Sequence, residues 1–439
     1  MINNLRFYTA LILARIAYLL IKIASKSSGT SFAGKLVLKF YPGFLSNCKK
    51  YITDDVVTVT GTNGKTTTSG LISHILEKNN CKIIHNVKGA NMLTGVANVF
   101  ALNVLPFKRF NYAVIESDEA YLNKLYDYIE ADYLVVTNLF RDQLDRYGEL
   151  ATTASFIKRG IDKNEDLKLI LNADDPLVAN FGTYRKNIIY FGFEKVEYSY
   201  QLDESNAPTE VFNCVCGKPL KYSNRFYAQQ GHYSCDCGYH RPECKYGASV
   251  IVNHDSSIIT LDGVEYKTGL VGLYNAYNVL AALAYSLEKG IDSEIIKTAL
   301  ASYKSIFGRT EKRNINGRQV LIQLIKNPAG ASEVLKTVDL NSNIVIPIND
   351  NFADGRDISW LWDSDFEQLK NAQKLVIASG IRAKDMATRL KYAGIPQDKI
   401  VVEQSIRKAI EIATSSEDNS SVTILPSYTA LLSINKEKF

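Results

Sequence analysis

The chain has 439 residues, of which 46% are hydrophobic and 22% are charged. This composition is typical of a soluble globular protein, and the length suffices for two or three domains with substantial cores. The formal net charge of +5 is small for this length, so charge alone indicates no nucleic-acid partner.

The chain opens with a strongly apolar segment at residues 7–21, which Arg15 interrupts and Arg6 and Lys22 flank. No uncharged run reaches the roughly 18 residues of a membrane-spanning helix, and Arg15 also breaks the apolar centre that a secretory signal needs. Arg15, Lys22 and Lys26 fall close to one helical face, which suits a helix lying on anionic lipid. The alternative, which we favour, is a helix docked on the chain's own core.

Strand and helix patterns then alternate. A β-branched run at 56–60 precedes a glycine-containing loop at 61–67, and the apolar spacing after this loop predicts a helix. Further runs typical of buried strands lie at 112–117, 133–139 and 167–173, with helical patterns between them. The alternation favours a parallel sheet with crossover helices.

Residues 196–248 break this rhythm with many tyrosines and five of the seven cysteines, and we interpret them as an insertion. An amphipathic helix is predicted at 269–290. From about residue 310 a second alternation begins, and its five apolar runs predict the strands of a smaller doubly wound domain. The predicted organisation is an N-terminal helical segment at 1–50, an α/β domain at 51–305 that carries the insertion, and a C-terminal α/β domain at 306–439.

The strongest motif is the loop between the first predicted strand and helix, Gly61-Thr62-Asn63-Gly64-Lys65-Thr66-Thr67. Glycines let a backbone curl so that its N–H groups face phosphate oxygens, and the following helix adds its positive N-terminal end. Lys65 can neutralise nucleotide phosphates, and the Thr66 hydroxyl can ligate magnesium. The general pattern has a glycine where this chain has Val59, and the alternative interpretation is an ordinary glycine turn.

Two Cys-x-Cys pairs, each followed by glycine, lie within the insertion: Cys214, Cys216, Cys235 and Cys237. Two hairpin knuckles that donate four thiolates make a closed tetrahedral Zn²⁺ site. The usual spacing is Cys-x-x-Cys, and Cys244 is an alternative ligand. Clustered cysteines in a long chain favour metal binding in a reducing cytosol over disulfides. We therefore expect structural zinc, and the lack of a dense Lys/Arg patch disfavours a nucleic-acid-binding ribbon.

The shortened phosphate loop resembles that of Mur ligases and folylpolyglutamate synthases, and other segments resemble Mur ligases in the same order along the chain. The resemblance implies that residues 61–67 bind ATP and that Glu116, within VIESDE, holds Mg²⁺ together with Thr66. It also implies that Asn275 and Asn278 approach the adenine and that Arg309 reaches the phosphates.

Residues 137–149 resemble a Mur segment with an Asp-His-Leu-Asp core, except that Gln143 replaces the histidine. Some Mur ligases carry a carbamylated lysine near the position of Lys158. Because the histidine is missing, we expect Lys158 to be a solvated helix residue instead.

The cysteine insertion, together with segments 326–335, 349–363 and 379–394, narrows the resemblance to the MurT-type family over nearly the whole length. The resemblance implies a Mur-ligase-type ATPase domain with a zinc ribbon and a C-terminal Rossmann-like domain. It further implies a heterodimer with a GatD-type glutaminase. The implied reaction is ATP-dependent amidation, through an acyl phosphate, of the D-glutamate α-carboxyl in lipid II. The implied location is the cytoplasm, with possible peripheral contact to the inner face of the cell membrane.

The resemblance also implies that an aspartate in 349–363 completes the glutaminase's Cys-His pair as an orienting third member. Asp357 is the first choice and Asp354 the second, while Asp350 and Asp363 are further candidates. The alternative is that these aspartates cap turns and helices.

Two rival functions remain open from the sequence. One is an amino-acid-adding ligase, either a stem-peptide Mur enzyme or a folylpolyglutamate synthase; the zinc insertion and residues 354–357 weigh against it. The other is a non-enzymatic zinc-ribbon binding protein with a relic nucleotide site; the intact Lys65, Thr66 and Glu116 weigh against that.

Overall fold

The computed structural model describes residues 2–24, 32–86, 90–141, 150–199, 211, 213–253, 255–304, 309–415 and 421–437. Its helices are α1 (Ile2–Ala24), α2 (Phe32–Phe40), α3 (Phe44–Cys48), α4 (Lys65–Lys78), α5 (Leu93–Asn103), α6 (Glu119–Leu125), α7 (Leu150–Ile161), α8 (Pro176–Ala179), α9 (Leu273–Glu288), α10 (Ser293–Ser302), α11 (Pro328–Leu335), α12 (Ala383–Tyr392), α13 (Ile406–Thr414) and α14 (Tyr428–Ile434). Its strands are β1 (Val56–Thr60), β2 (Ile83–His85), β3 (Tyr112–Glu116), β4 (Tyr133–Val136), β5 (Lys168–Asn172), β6 (Ile188–Tyr198), β7 (Lys221–Tyr227), β8 (Gln230–Ser234), β9 (Tyr246–Val252), β10 (Ser257–Leu261), β11 (Val264–Thr268), β12 (Arg309–Ile315), β13 (Arg318–Gln323), β14 (Asn343–Pro347), β15 (Val376–Ser379), β16 (Ile400–Val402) and β17 (Val422–Ile424).

The larger sheet has nine strands in the order β11-β10-β9-β6-β5-β4-β1-β3-β2. Strands β1 to β6 are parallel to their neighbours, and β9 to β11 form an antiparallel edge. The four strands predicted from apolar runs are β1, β3, β4 and β5, and β1, β3 and β4 are buried at every position. Helices cover both faces of a parallel sheet, which explains why these strands are continuous apolar runs rather than alternating ones. The predicted parallel sheet is confirmed.

Helix α9 confirms the helix predicted at 269–290, but its predicted amphipathic character is wrong. Nearly every residue from Leu273 to Ser286 is buried. The helix packs between the sheet and α4, so it has no solvent-facing side over this length.

The N-terminal helices form a layer over the opposite face of the large sheet. On α1, Phe7, Ala10, Leu11 and Ala14 are buried against α2, α3 and α5. Arg15 donates to the carbonyl of Val104 at 2.7 Å, beyond the end of α5, where helix carbonyls lack intrahelical partners. The favoured interpretation, a helix docked on the core, is therefore correct for one face of α1. Within the described part of the chain, no helix is both long and apolar enough to cross a membrane.

The cysteine-rich insertion contains the antiparallel hairpin β7–β8. Strands β6 and β9 pair in parallel, with β6 running to Tyr198 and β9 starting at Tyr246, so the ends of the predicted insertion lie in the large sheet. Arg241 fastens the insertion to this sheet, because its guanidinium contacts the fully buried carboxylate of Asp174 at 2.6 Å.

The C-terminal sheet has six strands in the order β12-β13-β17-β14-β15-β16. The five strands predicted from apolar runs are β13 to β17, all parallel in the sheet. Separate apolar clusters cover its two faces, one with α11 and α12 and one with α13 and α14, so the predicted doubly wound arrangement is confirmed. Strand β12 pairs antiparallel with β13 at the edge and was not predicted, because its sequence RTEKRNI has little apolar character.

Candidate active site

A cavity of about 460 Å³ lies between the two α/β units, at the carboxyl ends of β1 and β3. Ligands of open parallel sheets bind at this edge because the strand-to-helix loops converge there. Residues from both units line the cavity: the phosphate loop, Glu116, Asn275 and Asn278 from the first, and Lys326, Asn327 and Asp354 from the second.

The phosphate loop leaves β1 and enters α4 through two glycines with left-handed backbone, Gly61 at φ 124° and Gly64 at φ 86°. A Cβ atom on Gly64 would lie 1.9 Å from Oδ1 of Asn278, so a side chain has no room there. Asn138 accepts from the N–H of Asn63 at 2.8 Å, which holds the loop in place. The N-terminal N–H groups of α4 therefore point into a preformed cradle suited to phosphate.

Lys65 is folded back onto its own loop. Its ammonium donates to the Gly61 carbonyl at 2.6 Å and to both carboxylate oxygens of Glu119 at 3.1 Å. Burial raises the pKa of Glu119, and the ammonium of Lys65 opposes this shift. An incoming phosphate must therefore take over Lys65 from Glu119. The sequence interpretation missed Glu119, although it lies three residues beyond Glu116 in the same motif.

Glu116 ends β3 with a buried carboxylate facing the cavity. Its Oε1 accepts from Asn91 at 3.4 Å, whereas its Oε2 is buried and has no hydrogen-bond partner among the described residues. Asn86 fixes its backbone by two hydrogen bonds of 2.8 Å. A buried carboxylate oxygen without a donor is costly unless it binds a cation, and hard oxygen ligands suit Mg²⁺. Glu116 and Thr66, which also lines the cavity, therefore fit a magnesium ion.

The remaining residues implied by the family resemblance occupy different environments. Asn275 and Asn278 lie buried on α9 and line the cavity. Arg309 begins β12, but its side chain lies outside the described part of the structure, as does Gln143. Lys158 is exposed on α7 and pairs with Asp162 at 2.8 Å, which matches the expected solvated helix lysine.

The C-terminal unit closes on the phosphate loop through an amide pair. Asn63 donates to Asn327 at 3.3 Å, and Asn327 donates back at 3.1 Å. Lys326 donates to the carbonyl of Thr62 at 3.4 Å. The same Asn327 caps α11 by accepting from the N–H of Gly330 at 2.9 Å. These contacts place the start of α11 over the cradle.

The insertion also reaches the cavity, which the sequence interpretation did not foresee. Tyr227, at the hairpin tip, lines the cavity and packs against Phe140 with ring centroids 5.1 Å apart. The neighbouring Gln229 is fully buried and donates to the carbonyl of Leu139 at 2.6 Å. The β7–β8 hairpin is thus part of the cavity wall.

The four predicted zinc ligands converge, with all Sγ atoms within 4.8 Å of one another. Each Cys-x-Cys pair forms a tight turn in which Gly217 or Gly238 donates to the carbonyl of the first cysteine. Cys244 is outside this group, and its Sγ lies 4.0 Å from the carbonyl of Pro242. Four converging sulfurs on two turns fit Zn²⁺ and leave no open coordination position.

The candidate aspartates of 349–363 differ in how far they are engaged. Asp350 pairs with Arg382 at 2.5 Å, and Asp363 pairs with Arg141.

Asp354 is buried and accepts from both the N–H and the hydroxyl of Thr429, at 2.7 and 2.5 Å. Asp357 is exposed, and its Oδ1 accepts from the N–H of Ser359 at 2.8 Å. Hydrogen bonds from Ser359, helped by the charge of Arg141, lower the pKa of Asp357. Asp357 therefore presents an ionised carboxylate at the surface.

Comparisons with solved structures agree with this architecture. A pseudomurein peptide ligase type C from Methanothermus fervidus superposes with a TM-score of 0.66 at 24% identity, covering 92% of this chain and 84% of that chain. A folylpolyglutamate synthase from Mycobacterium tuberculosis, solved with ADP and AMPPCP, gives a TM-score of 0.59 at 14% identity, covering 97% and 99% of the two chains. These likenesses show a shared fold.

Sequence comparisons are more specific. Residues 59–286 match the Mur ligase middle domain, and residues 324–431 match the MurT ligase C-terminal domain. The lipid II isoglutaminyl synthase (glutamine-hydrolyzing) subunit MurT of Staphylococcus aureus strain COL is 35% identical, covering 97% of this chain and 96% of that protein. The subunit of the same name from Streptococcus pneumoniae is 37% identical, covering 92% and 91%. The predicted fold and resemblance are thereby confirmed, and the chain belongs to the MurT family of Mur ligases.

Proposed function

We propose that this chain is the synthetase subunit of a glutamine-hydrolysing lipid II isoglutaminyl synthase. It would convert the α-carboxyl of D-glutamate in the lipid II stem peptide to the amide, using ATP, as a step of peptidoglycan synthesis. The observation that carries the proposal is that a phosphate cradle, Glu116 and residues of the MurT-type C-terminal unit line one shared cavity. The names of the relatives supply the substrate.

The chemistry divides into two steps. A carboxylate oxygen attacks the γ-phosphorus of ATP while the bond to the β–γ bridging oxygen breaks, giving an acyl phosphate and ADP. Ammonia then attacks the acyl carbon, phosphate leaves, and the nitrogen loses a proton to give the amide.

The chain's own residues would serve the first step by holding phosphate charge. Lys65 would exchange Glu119 for phosphate oxygens, while the N–H groups at the start of α4 hold the β-phosphate. Magnesium bound by Glu116 and Thr66 would neutralise charge on the transferring group. Asn63 and Asn327 would close the C-terminal unit over the cradle and exclude water, which would otherwise hydrolyse the acyl phosphate.

The second step needs ammonia, which we assign to a GatD-type glutaminase bound to the C-terminal unit. Asp357 suits the role of orienting its catalytic histidine better than Asp354 does. The carboxylate of Asp357 is exposed, whereas Asp354 is buried and already accepts two hydrogen bonds from Thr429.

Zinc on the four cysteines would have a structural role in this scheme, since it would hold the hairpin that carries Tyr227. We further propose domain boundaries at 51–305 and 306–439, each enclosing one of the two large sheets, with residues 1–50 as a helical layer. Because lipid II is membrane-anchored, the location that matches this function is the cytoplasm, at the inner face of the cell membrane.

The partner assignment is tested by measuring glutamine hydrolysis in the complex with a GatD-type glutaminase. We expect Asp357→Asn to abolish it and Asp398→Asn, at another exposed position of the same unit, to leave it intact. Normal hydrolysis with Asp357→Asn, but not with Asp354→Asn, would transfer the role to Asp354. Normal hydrolysis with both variants would contradict the proposal that an aspartate of this chain completes the active site of the glutaminase.

A further inference from the structure

The positive charge of the chain is concentrated at its N-terminus. Residues 1–53 contain eight of the 51 Lys and Arg residues and none of the 46 Asp and Glu residues. The other 386 residues therefore hold 43 basic and 46 acidic side chains, a slightly negative balance. An asymmetry of this kind between parts of a chain points to an anionic partner for the basic part.

Helix α1 in this layer is apolar on both sides. Its inner stripe is buried in the core, while Ile12, Ile16, Leu19 and Leu20 are 49–61% exposed. The spacing of these four residues places them on one stripe of the helix, opposite Phe7, Ala10, Leu11 and Ala14. A helix with apolar residues on both sides is normally buried on both sides. The exposed outer stripe of α1 is therefore expected to be buried by a binding partner.

The loop after α5 adds a second apolar element beside α1. Both of its ends are anchored: Val104 accepts from Arg15 on α1, and the guanidinium of Arg109 lies 4.8 Å from the ring of Tyr51, which stacks on Phe7. Between these anchors, the ring of Phe107 is 99% exposed. An aromatic side chain held fully in solvent at the tip of a doubly anchored loop has no role in packing.

Basic residues accompany these apolar side chains. Lys108 follows Phe107 in the loop, and helix α2 exposes Lys35 and Lys39 between Phe32 and Phe40. We define the basic apolar face as eleven exposed large apolar and lysine residues of α1, α2 and this loop: Ile12, Ile16, Leu19, Leu20, Phe32, Lys35, Lys39, Phe40, Leu105, Phe107 and Lys108.

We propose that the basic apolar face docks the protein peripherally on an anionic phospholipid surface, with Phe107 and the outer stripe of α1 entering the headgroup region. Apolar side chains interleaved with lysines are what such an interface binds, whereas a protein partner would need acidic groups to match this charge. Its use for a membrane-anchored substrate rests on the proposed function.

The placement of the face relative to the active site supports this use. Helix α5 begins beside Asn91 and Met92, which line the cavity, and ends at the loop that carries Phe107. An 11-residue helix is about 16 Å long. A headgroup attached to lipid at the face would therefore have to extend by about one such helix length to reach the cavity.

The test is flotation of the purified chain with vesicles, without substrate or nucleotide. We expect binding to phosphatidylglycerol-containing vesicles and much weaker binding to pure phosphatidylcholine. Phe107→Ser should weaken binding about ten-fold or more. The triple change Lys35→Gln, Lys39→Gln and Lys108→Gln should weaken it about 100-fold, at about five-fold per charge near the surface.

Matched controls distinguish binding through this face from non-specific binding by any exposed aromatic residue or any group of lysines. Tyr184→Ser changes an aromatic residue that is 92% exposed elsewhere, and it should leave vesicle binding unchanged. The same holds for the triple change Lys384→Gln, Lys391→Gln and Lys408→Gln, at exposed positions on α12 and α13.

Equal binding to both vesicle types, no binding, or equal loss in the control variants would overturn the proposal. So would a change in self-association with the Phe107 variant, which would make the face a protein interface. Vesicle binding without any lipid II amidation would support the membrane-docking surface and contradict the proposed function. Lipid II amidation without vesicle binding would support the proposed function and contradict the membrane-docking surface.

Discussion

A single methyl group at Gly64 should damage the phosphate cradle in two separable ways. Left-handed backbone costs an L-residue about 1–2 kcal/mol. The new Cβ would also lie 1.9 Å from Oδ1 of Asn278, whose amide is buried and hydrogen-bonded to Asn275 and Thr68. Overpacking of this kind costs about 1–3 kcal/mol, so we expect Gly64→Ala to destabilise the chain by about 2–5 kcal/mol in total.

Gly317 provides the matched control for backbone strain. It has a similar φ of 78°, in the turn between β12 and β13, but a Cβ there would meet nothing within 4 Å. Gly317→Ala should therefore cost only the strain, about 1–2 kcal/mol, and leave ATP binding intact. The double change Gly64→Ala with Asn278→Ala should recover the overpacking component, which appears as a coupling energy of about 1–3 kcal/mol.

The assay combines ATP titration by calorimetry with thermal unfolding of the parent chain, Gly64→Ala, Gly317→Ala, Asn278→Ala and the double variant. Gly64→Ala should lower the unfolding midpoint more than Gly317→Ala and lose ATP affinity, because either the loop or α9 must move. Equal midpoints and equal ATP affinity for the two alanine variants would refute the close approach of the loop to α9.

Three further perturbations follow from single groups. Glu116→Gln should reduce Mg²⁺-dependent ATP turnover about 100-fold or more. The metal-free protein should be at least as stable as the parent, because the change removes a buried charge whose Oε2 has no donor among the described residues. Normal turnover would exclude Glu116 as the magnesium ligand. Cys235→Ser should abolish bound zinc and raise the KM for substrate through displacement of Tyr227, whereas Cys81→Ser, outside the cluster, should do neither; full zinc occupancy in the first variant would contradict the four-thiolate site. Burial raises the pKa of Asp175 to about 6. A raised carboxyl pKa stabilises the folded state at low pH and loses that contribution as pH rises through 6. Relative to Asp175→Asn, the parent should therefore lose about 2 kcal/mol of unfolding free energy between pH 4 and pH 7, and a constant difference would contradict the shift.

Sequence patterns predicted those parts of the molecule that depend on local order along the chain. The apolar runs of β1, β3, β4 and β5 are continuous because both sheet faces are covered, and the glycine loop follows β1 directly. The cysteine turns are equally local, since each Gly follows its Cys-x-Cys pair.

Contacts between distant segments were not predictable from these patterns. The amide pair of Asn63 and Asn327 joins residues 264 positions apart. The sequence around either asparagine contains no pattern that predicts contact with the other. Tyr227 lay in a segment without periodicity, so nothing assigned it to the cavity. Lys65 was expected to face phosphate, and its pairing with Glu119 arises only because α6 starts beside the loop.

The central claim is that the chain forms an amide from an ATP-activated carboxylate of lipid II. The most direct measurement supplies the chain and a GatD-type glutaminase with lipid II, ATP and glutamine carrying heavy nitrogen in its side-chain amide, followed by mass spectrometry of the product and quantification of ADP. The account predicts D-isoglutamine with the heavy nitrogen, one ADP per amide, and no product without the glutaminase unless ammonium is added. A product extended by an amino acid, or amide formation without ADP, would contradict it.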